Sequence, residues 1–162
     1  MHASSLADCT IIQLPKISDP RGNLTFIEGN KHIPFSIKRA YWIYDVPGGE
    51  KRGGHAYKTL HEFIVALSGS FDVVLNDGRE QRTFSLNRSY FGLYVPQMIW
   101  RTIENYSTNG VTLILASDHY NPDDYIRDYN AFVAAKSISA KHFSASMSIA
   151  ETHINREQIS TG

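Results

Sequence analysis

Gly49-Glu50-Lys51-Arg52-Gly53-Gly54-His55-Ala56-Tyr57-Lys58-Thr59-Leu60-His61-Glu62, closed seven residues later by Gly69, is the stretch that decides the fold. His55 and Tyr57 are two residues apart, so a strand carries both side chains on one face. Glu62 stands near the start of the next β-rich segment, His61 to Leu67. Further on, Pro96, Met98, Arg101 and Asn105 form a second spaced set. An arginine has no lone pair to give a divalent ion, and its fixed charge repels one. A site made of one histidine, one tyrosine and several arginines is suited to holding an anion and moving protons.

Outward from that stretch the chain reads as short strands. Thr10 to Leu14, Asn23 to Glu28, Ile37 to Val46, Phe71 to Asn76, Gln81 to Leu86, Tyr90 to Val95, Ile99 to Glu104 and Val111 to Ala116 are rich in β-branched and aromatic residues. Ser68-Gly69-Ser70 and Asn76-Asp77-Gly78 are tight-turn signals. Many short strands without intervening helices imply a sandwich or barrel. The two spaced sets resemble the paired motifs of the cupin superfamily, in which a small barrel offers histidines and a glutamate to a metal. Here Tyr57 and Arg101 occupy two of the four ligand positions, so no metal is expected. The expected fold is all-β, a cupin-type jelly-roll barrel with a C-terminal helix packed on it.

That helix is expected from Asn121 as cap, with Pro122 at its first position and Asp123 and Asp124 in its first turn. Tyr125, Tyr129, Phe132 and Val133 then make one apolar stripe. Residues 1–136 are expected to form the barrel with its closing helix, and 137–162 a weakly patterned, serine-rich tail. The 162 residues, 42% hydrophobic, suffice for one buried core. Sixteen basic and sixteen acidic residues, with no long basic run, argue against nucleic-acid or membrane-surface binding through bulk charge. Cys9, the lone cysteine, excludes an internal disulfide and is a poor nucleophile by its position. No apolar run approaches a membrane span and no basic-then-apolar leader opens the chain, so a cytoplasmic location is expected.

Three segments in order carry a narrower resemblance: Asp19-Pro20-Arg21-Gly22-Asn23-Leu24, Arg52-Gly53-Gly54-His55-Ala56-Tyr57-Lys58 and Asp124-Tyr125-Ile126-Arg127-Asp128-Tyr129. Together they resemble the dTDP-4-keto-6-deoxyglucose 3,4-ketoisomerases of the cupin superfamily, over roughly residues 10 to 135. The resemblance implies a homodimeric jelly roll, a dTDP-linked keto-sugar substrate, no cofactor, and a product used in amino-sugar and surface-polysaccharide synthesis, as in lipopolysaccharide O-antigen. Members of that family carry two histidines where this chain reads His55-Ala56-Tyr57, so the second is replaced.

The chemistry such a substrate needs can be set against these residues. A C4 ketone acidifies the C3 hydrogen; a base removes it to give an enediolate, and reprotonation at C4 with a hydrogen shift between the oxygens moves the ketone to C3. His55 is the candidate base, since imidazole titrates near neutrality. Tyr57 is a candidate to hydrogen-bond a developing enediolate oxygen, or else to pack. Arg21, Arg52 and Arg101 are candidates for the diphosphate, which guanidinium groups match in geometry. Trp42 and Tyr44, on one face of their strand with Tyr41 on the other, either stack on base or sugar or fill the core. Glu62, if buried without a metal, is expected to be protonated or paired with an arginine. The competing functions are a dTDP-sugar 3,5-epimerase, a metal cupin with an unusual ligand set, and a non-catalytic sugar-nucleotide-binding barrel.

Overall fold

Along Phe71–Asn76 the side chains of Phe71, Val73 and Leu75 are buried while Asp72, Val74 and Asn76 are half-exposed, the alternation of a strand with one face on a core. In the computed structural model, which describes residues 4–139, this pattern recurs until two sheets lie face to face. The strands are β1 (Thr10–Gln13), β2 (Lys16–Ile17), β3 (Leu24–Thr25), β4 (Arg39–Ile43), β5 (Arg52–Tyr57), β6 (Glu62–Ser68), β7 (Phe71–Asn76), β8 (Gln81–Leu86), β9 (Phe91–Val95), β10 (Trp100–Glu104), β11 (Val111–Ala116) and β12 (Tyr125–Ile126). One five-stranded sheet has the order β1-β9-β6-β11-β4, the other β12-β5-β10-β7-β8, and β2 pairs with β3 alone. All the strand pairs are antiparallel, as a jelly roll requires. Ile64, Val73, Leu75, Leu93, Ile103 and Ile114 interleave between the sheets, all fully buried. Each such side chain contributes about 1.5–3 kcal/mol relative to exposure.

The strand expectations hold in place and mostly in extent, with two shortfalls. The expected strand 23–28 is only Leu24–Thr25, because its partner β2 offers just two residues, and 37–46 contracts to Arg39–Ile43. The helix starting at Asn121 is overturned. Asn121 does cap, accepting from the Asp123 backbone N–H at 3.0 Å, but the turn it caps is a short 3-10 turn, Pro122–Asp124. The chain then becomes β12, with Tyr125 opposite Tyr57 and Ile126 opposite Ala56. The cause is Asp124: its buried carboxylate accepts from Thr59 N, Thr59 Oγ1 and Leu60 N at 2.9, 2.8 and 3.2 Å, and its carbonyl accepts from Lys58 N. Those bonds tie the segment to the end of β5, and sheet pairing overrides the helical stripe.

The helix proper, α1, begins at residue 129 and runs through 139, past the expected boundary at 136. It packs on the barrel by Phe132, fully buried beside Ala56, Ile126 and Trp100. The remainder of the expected tail, 140–162, lies outside the described residues. Cys9 is buried, and burial pushes its thiol up to about 12, in keeping with a packing role.

Two backbone features set the site. At Met98 φ is 57°, and the Met98 N–H donates to the Tyr57 carbonyl at 2.7 Å, tying the turn before β10 to the end of β5. At Gly53, with φ 92°, a Cβ would stand 2.7 Å from Arg101 Nη1. Only glycine lets β5 approach the arginine this closely.

Candidate active site

Strands β4, β5, β10 and β12 open onto a cavity of about 470 Å³. β5 and β10 pair with His55 opposite Arg101, the register shifting directly afterwards at Thr102. This pairing brings the two motif positions together, as the spacing implies. His55 is 7% exposed, and among the described residues neither of its ring nitrogens makes a hydrogen bond. Burial first, and then the Arg101 charge, push its pKa down to about 4, against a smaller opposing pull from Glu62. At neutral pH the imidazole is therefore an uncharged base with a free lone pair.

Beneath it lies a buried ion pair. Arg101 donates from Nε to Glu62 Oε2 at 2.7 Å and from Nη2 to Oε1 at 2.9 Å, and the two residues are 2% and 1% exposed. Tyr41 donates to Glu62 Oε1 at 2.5 Å and accepts from Arg101 Nη2 at 3.0 Å. Burial would raise the Glu62 pKa, but the Arg101 charge and these hydrogen bonds outweigh it and hold the carboxyl below its usual range. Glu62 is thus paired with an arginine, one of the two states expected for it. Tyr57 Oη lies 3.3 Å from Tyr41 Oη. Because the Tyr41 proton is committed to Glu62, Tyr57 is the donor of the pair. Burial, and then the Glu62 charge, drive the Tyr57 pKa well up, so it stays a neutral phenol, a donor rather than a base.

The other sequence candidates divide. Arg52 and Trp42 line the cavity with His55, Tyr57 and Arg101. Arg52 makes no ion pair with any described residue, whereas its neighbour Lys51 is bound to Glu104 at 2.5 Å. Trp42 and Tyr44 are each 60% exposed, so neither is core, and both line an adjoining cleft of about 290 Å³ that also includes Arg52. Arg21 does not reach the cavity: its side chain is 90% exposed and pairs with Asp19 across an open turn. Tyr125 and Arg127 line the cavity but escape the sequence reading as site residues, and Tyr41, considered there beside Trp42 and Tyr44 for stacking, has another role. Tyr41 stands on the face opposite Trp42, as strand alternation requires, but that face is the one carrying the Glu62 contact. Tyr125 and Arg127 fall within the expected helix, although both stand in a segment that carries the family resemblance; the Arg127 guanidinium lies 4.2 Å from the Tyr125 ring centroid.

The donor set does not suit a metal ion. Both Glu62 carboxylate oxygens are taken by Arg101 and Tyr41, and among the described residues no three His, Cys, Asp or Glu side chains converge.

Comparison with known proteins narrows the fold to a family. Residues 7–137 match the family model described as FdtA: WxcM-like, C-terminal. A curated protein of Aneurinibacillus thermoaerophilus, TDP-4-oxo-6-deoxy-alpha-D-glucose-3,4-oxoisomerase, is 46% identical over 122 residues, 75% of this chain and 88% of that one. A 3,4-ketoisomerase from Helicobacter canadensis superposes with a TM-score of 0.78 at 42% identity, covering 80% of this chain and 98% of the other. A His-to-Asn variant of a 3,4-ketoisomerase from Thermoanaerobacterium thermosaccharolyticum, solved with TDP-4-keto-6-deoxyglucose, gives 0.79 at 36% identity over 82% and 96% of the two chains. Sugar epimerase structures, at 18% identity, share the fold alone. The chain belongs to the FdtA, WxcM-like family of cupin-fold nucleotide-sugar ketoisomerases.

Proposed function

We propose that this protein is an isomerase that moves the ketone of a dTDP-linked 4-keto-6-deoxyhexose from C4 to C3 through an enediolate. The observation that carries the mechanism is the uncharged, buried His55 set against a fixed guanidinium in one cavity. His55 takes the C3 proton, and the C–H electrons form the C3–C4 double bond while the C4 carbonyl becomes an enediolate oxygen. Arg101, with Nε and Nη2 held by Glu62 and Tyr41, supplies a preorganised positive charge to that oxygen. Tyr57 hydrogen-bonds the enediolate and passes a proton between the O3 and O4 oxygens. Protonation at C4 by the imidazolium then yields the 3-keto sugar and restores the base, with no redox partner needed. Arg52, at the mouth, fits the diphosphate, and Trp42 and Tyr44, exposed beside it, fit the nucleobase or sugar face. Arg21 enters the cavity of its own chain in no part of this scheme.

The test is incubation with dTDP-4-keto-6-deoxyglucose followed by NMR of the sugar. A carbonyl at C3 is expected; deuterium incorporated at C5 with the ketone still at C4 identifies an epimerase, and binding without any exchange identifies a non-catalytic barrel. His55→Asn is expected to abolish turnover and retain dTDP binding.

The same reading extends to setting. The product class fits deoxy-amino-sugar and surface-polysaccharide synthesis, carried out in the cytoplasm; fractionation of cells tests the location. No helix among the described residues is long and apolar enough to cross a membrane. A homodimer is supported by the open sheet edges at β1 and β4 and by exposed Ile17 and Leu24 on the β2–β3 hairpin. A monomer mass by light scattering at micromolar concentration would count against it.

A further inference from the structure

A general base works only while its lone pair is held toward the reacting carbon, and a histidine base is ordinarily fixed by a hydrogen bond to its second nitrogen. His55 lacks that device among the described residues. Neither nitrogen is hydrogen-bonded, and the one carboxylate near it, Glu62, has both oxygens engaged by Arg101 and Tyr41. The Gly53 backbone approaches the imidazole without completing a bond.

Rings surround it instead. The Tyr57 ring meets His55 edge-on, with centroids 4.9 Å apart and planes at 82°. The Tyr125 ring lies 5.0 Å from His55 at 54°, and the two tyrosine rings are 4.6 Å apart, so each of the three touches the other two. Tyr125 is held in turn: the Arg127 guanidinium sits 4.2 Å from its ring centroid, Tyr120 lies 5.8 Å away, and its backbone is locked opposite Tyr57 by β12. Aromatic rings attract in tilted and edge-on arrangements at about these separations, and a cation over a ring face adds to the hold.

We infer that Tyr125 is a positioning residue for the isomerisation: its ring, backed by Arg127, holds the His55 imidazole in the orientation that other histidine bases receive from a hydrogen-bond partner. The inference rests on His55 being the base. A ring clamp differs in consequence from a carboxylate clamp, because a carboxylate favours the imidazolium and raises the pKa, whereas rings exclude water and leave the imidazole neutral. The charged groups facing His55 agree with that: Arg101 and Arg127 oppose its protonation and only Glu62 favours it.

Three variants test this. Tyr125→Phe keeps the ring and is expected to keep kcat within about twofold. Tyr125→Leu removes it and is expected to lower kcat about 10- to 100-fold, the usual cost of a misplaced reacting group, with dTDP affinity nearly unchanged. Tyr125→Thr suits a strand and substitutes if the leucine variant does not fold. An independent readout needs no turnover: the His55 ring resonance, assigned by its loss in His55→Asn, is expected to titrate at higher pH in the truncated variants of the substrate-free protein, as water reaches the imidazole. Native kcat and unchanged His55 titration in Tyr125→Leu or Tyr125→Thr would overturn the inference, as would equal damage from Tyr125→Phe, which would assign the effect to the hydroxyl. Should His55→Asn retain turnover, the base assignment itself falls, a failure seen separately from the titration.

Discussion

Glu62→Gln is the sharpest probe of the buried pair. The change keeps the shape of the side chain and removes its charge, leaving Arg101, 2% exposed, without a counterion. The glutamine amide would still accept one bond from Arg101 or Tyr41 and would present a donor to the other, a mismatch in a dry setting. Breaking one side of a buried pair costs about 3–5 kcal/mol. For a barrel of this size each kcal/mol lowers Tm by roughly 2–4 °C, so a drop of about 6–20 °C is expected. Urea unfolding should show the same loss as a lowered midpoint at constant m-value. The double variant Glu62→Leu with Arg101→Met removes both charges and should recover much of the stability, so that the two single costs exceed the double. The pair has its own pH signature. The Glu62 pKa is lowered on folding, so its stabilisation is fully present above the ordinary carboxyl range and is lost as pH falls through the folded value. A cost below about 1 kcal/mol for Glu62→Gln, the level of a surface pair, or strict additivity in the double variant, would refute this account.

With the His55 pKa at about 4, the acid limb of kcat/KM should lie near pH 4, leaving the rate flat through the ordinary imidazole range; a limb at pH 6–7 would contradict it. Because that pKa is depressed on folding, the unfolded chain binds the extra proton first, and His55 should cost stability progressively as pH falls from about 6.5 to 4, seen as falling Tm that His55→Asn flattens. Tyr57→Phe should lower kcat about 10²-fold with little change in KM, as expected for one hydrogen bond to a developing charge; unchanged kcat would reduce Tyr57 to packing. Turnover should persist in excess chelator, with no stoichiometric transition metal by elemental analysis of the active protein.

How much of this is legible in the sequence follows from which forces act locally. The strand alternation that places His55 and Tyr57 on one face is a property of residues two apart, and it holds: both line the cavity while Ala56 between them packs against Phe132. The need of Glu62 for a proton or an arginine follows from burying a carboxylate, but which arginine answers it does not: Arg101 is 39 residues away and reaches Glu62 only through the packing of the two sheets. Tyr125 is lost because its stripe with Tyr129, Phe132 and Val133 fits a helix equally well, and only the long-range bonds from Asp124 to Thr59 and Leu60 make it a strand. Trp42 and Tyr44 draw notice by size, while the quieter Tyr41 carries the contact to Glu62, because which face of β4 turns inward depends on pairing with β11. Arg21 follows a turn beside a short hairpin, and no sequence rule states whether such a turn reaches the cavity.

An arginine at the position where the cupin motif that this sequence resembles has a metal ligand also has a chemical logic that the geometry makes concrete. A metal ion at this position would stabilise an enediolate, but it would draw on the imidazole lone pair as a ligand, and a ligated imidazole cannot take a proton from carbon. Arg101 supplies positive charge opposite His55 and accepts nothing from it. Burial first, and then this charge, lower the His55 pKa, which keeps the base free of protons at working pH and makes the imidazolium a strong acid once formed, ready to release its proton to C4. A guanidinium left uncompensated in this interior would be costly, and Glu62 removes that cost without touching His55, since its two oxygens face Arg101 and Tyr41. The carboxylate then lies one residue removed from the chemistry, and the proton inventory of the site reduces to the base, the hydroxyl of Tyr57 and the substrate itself.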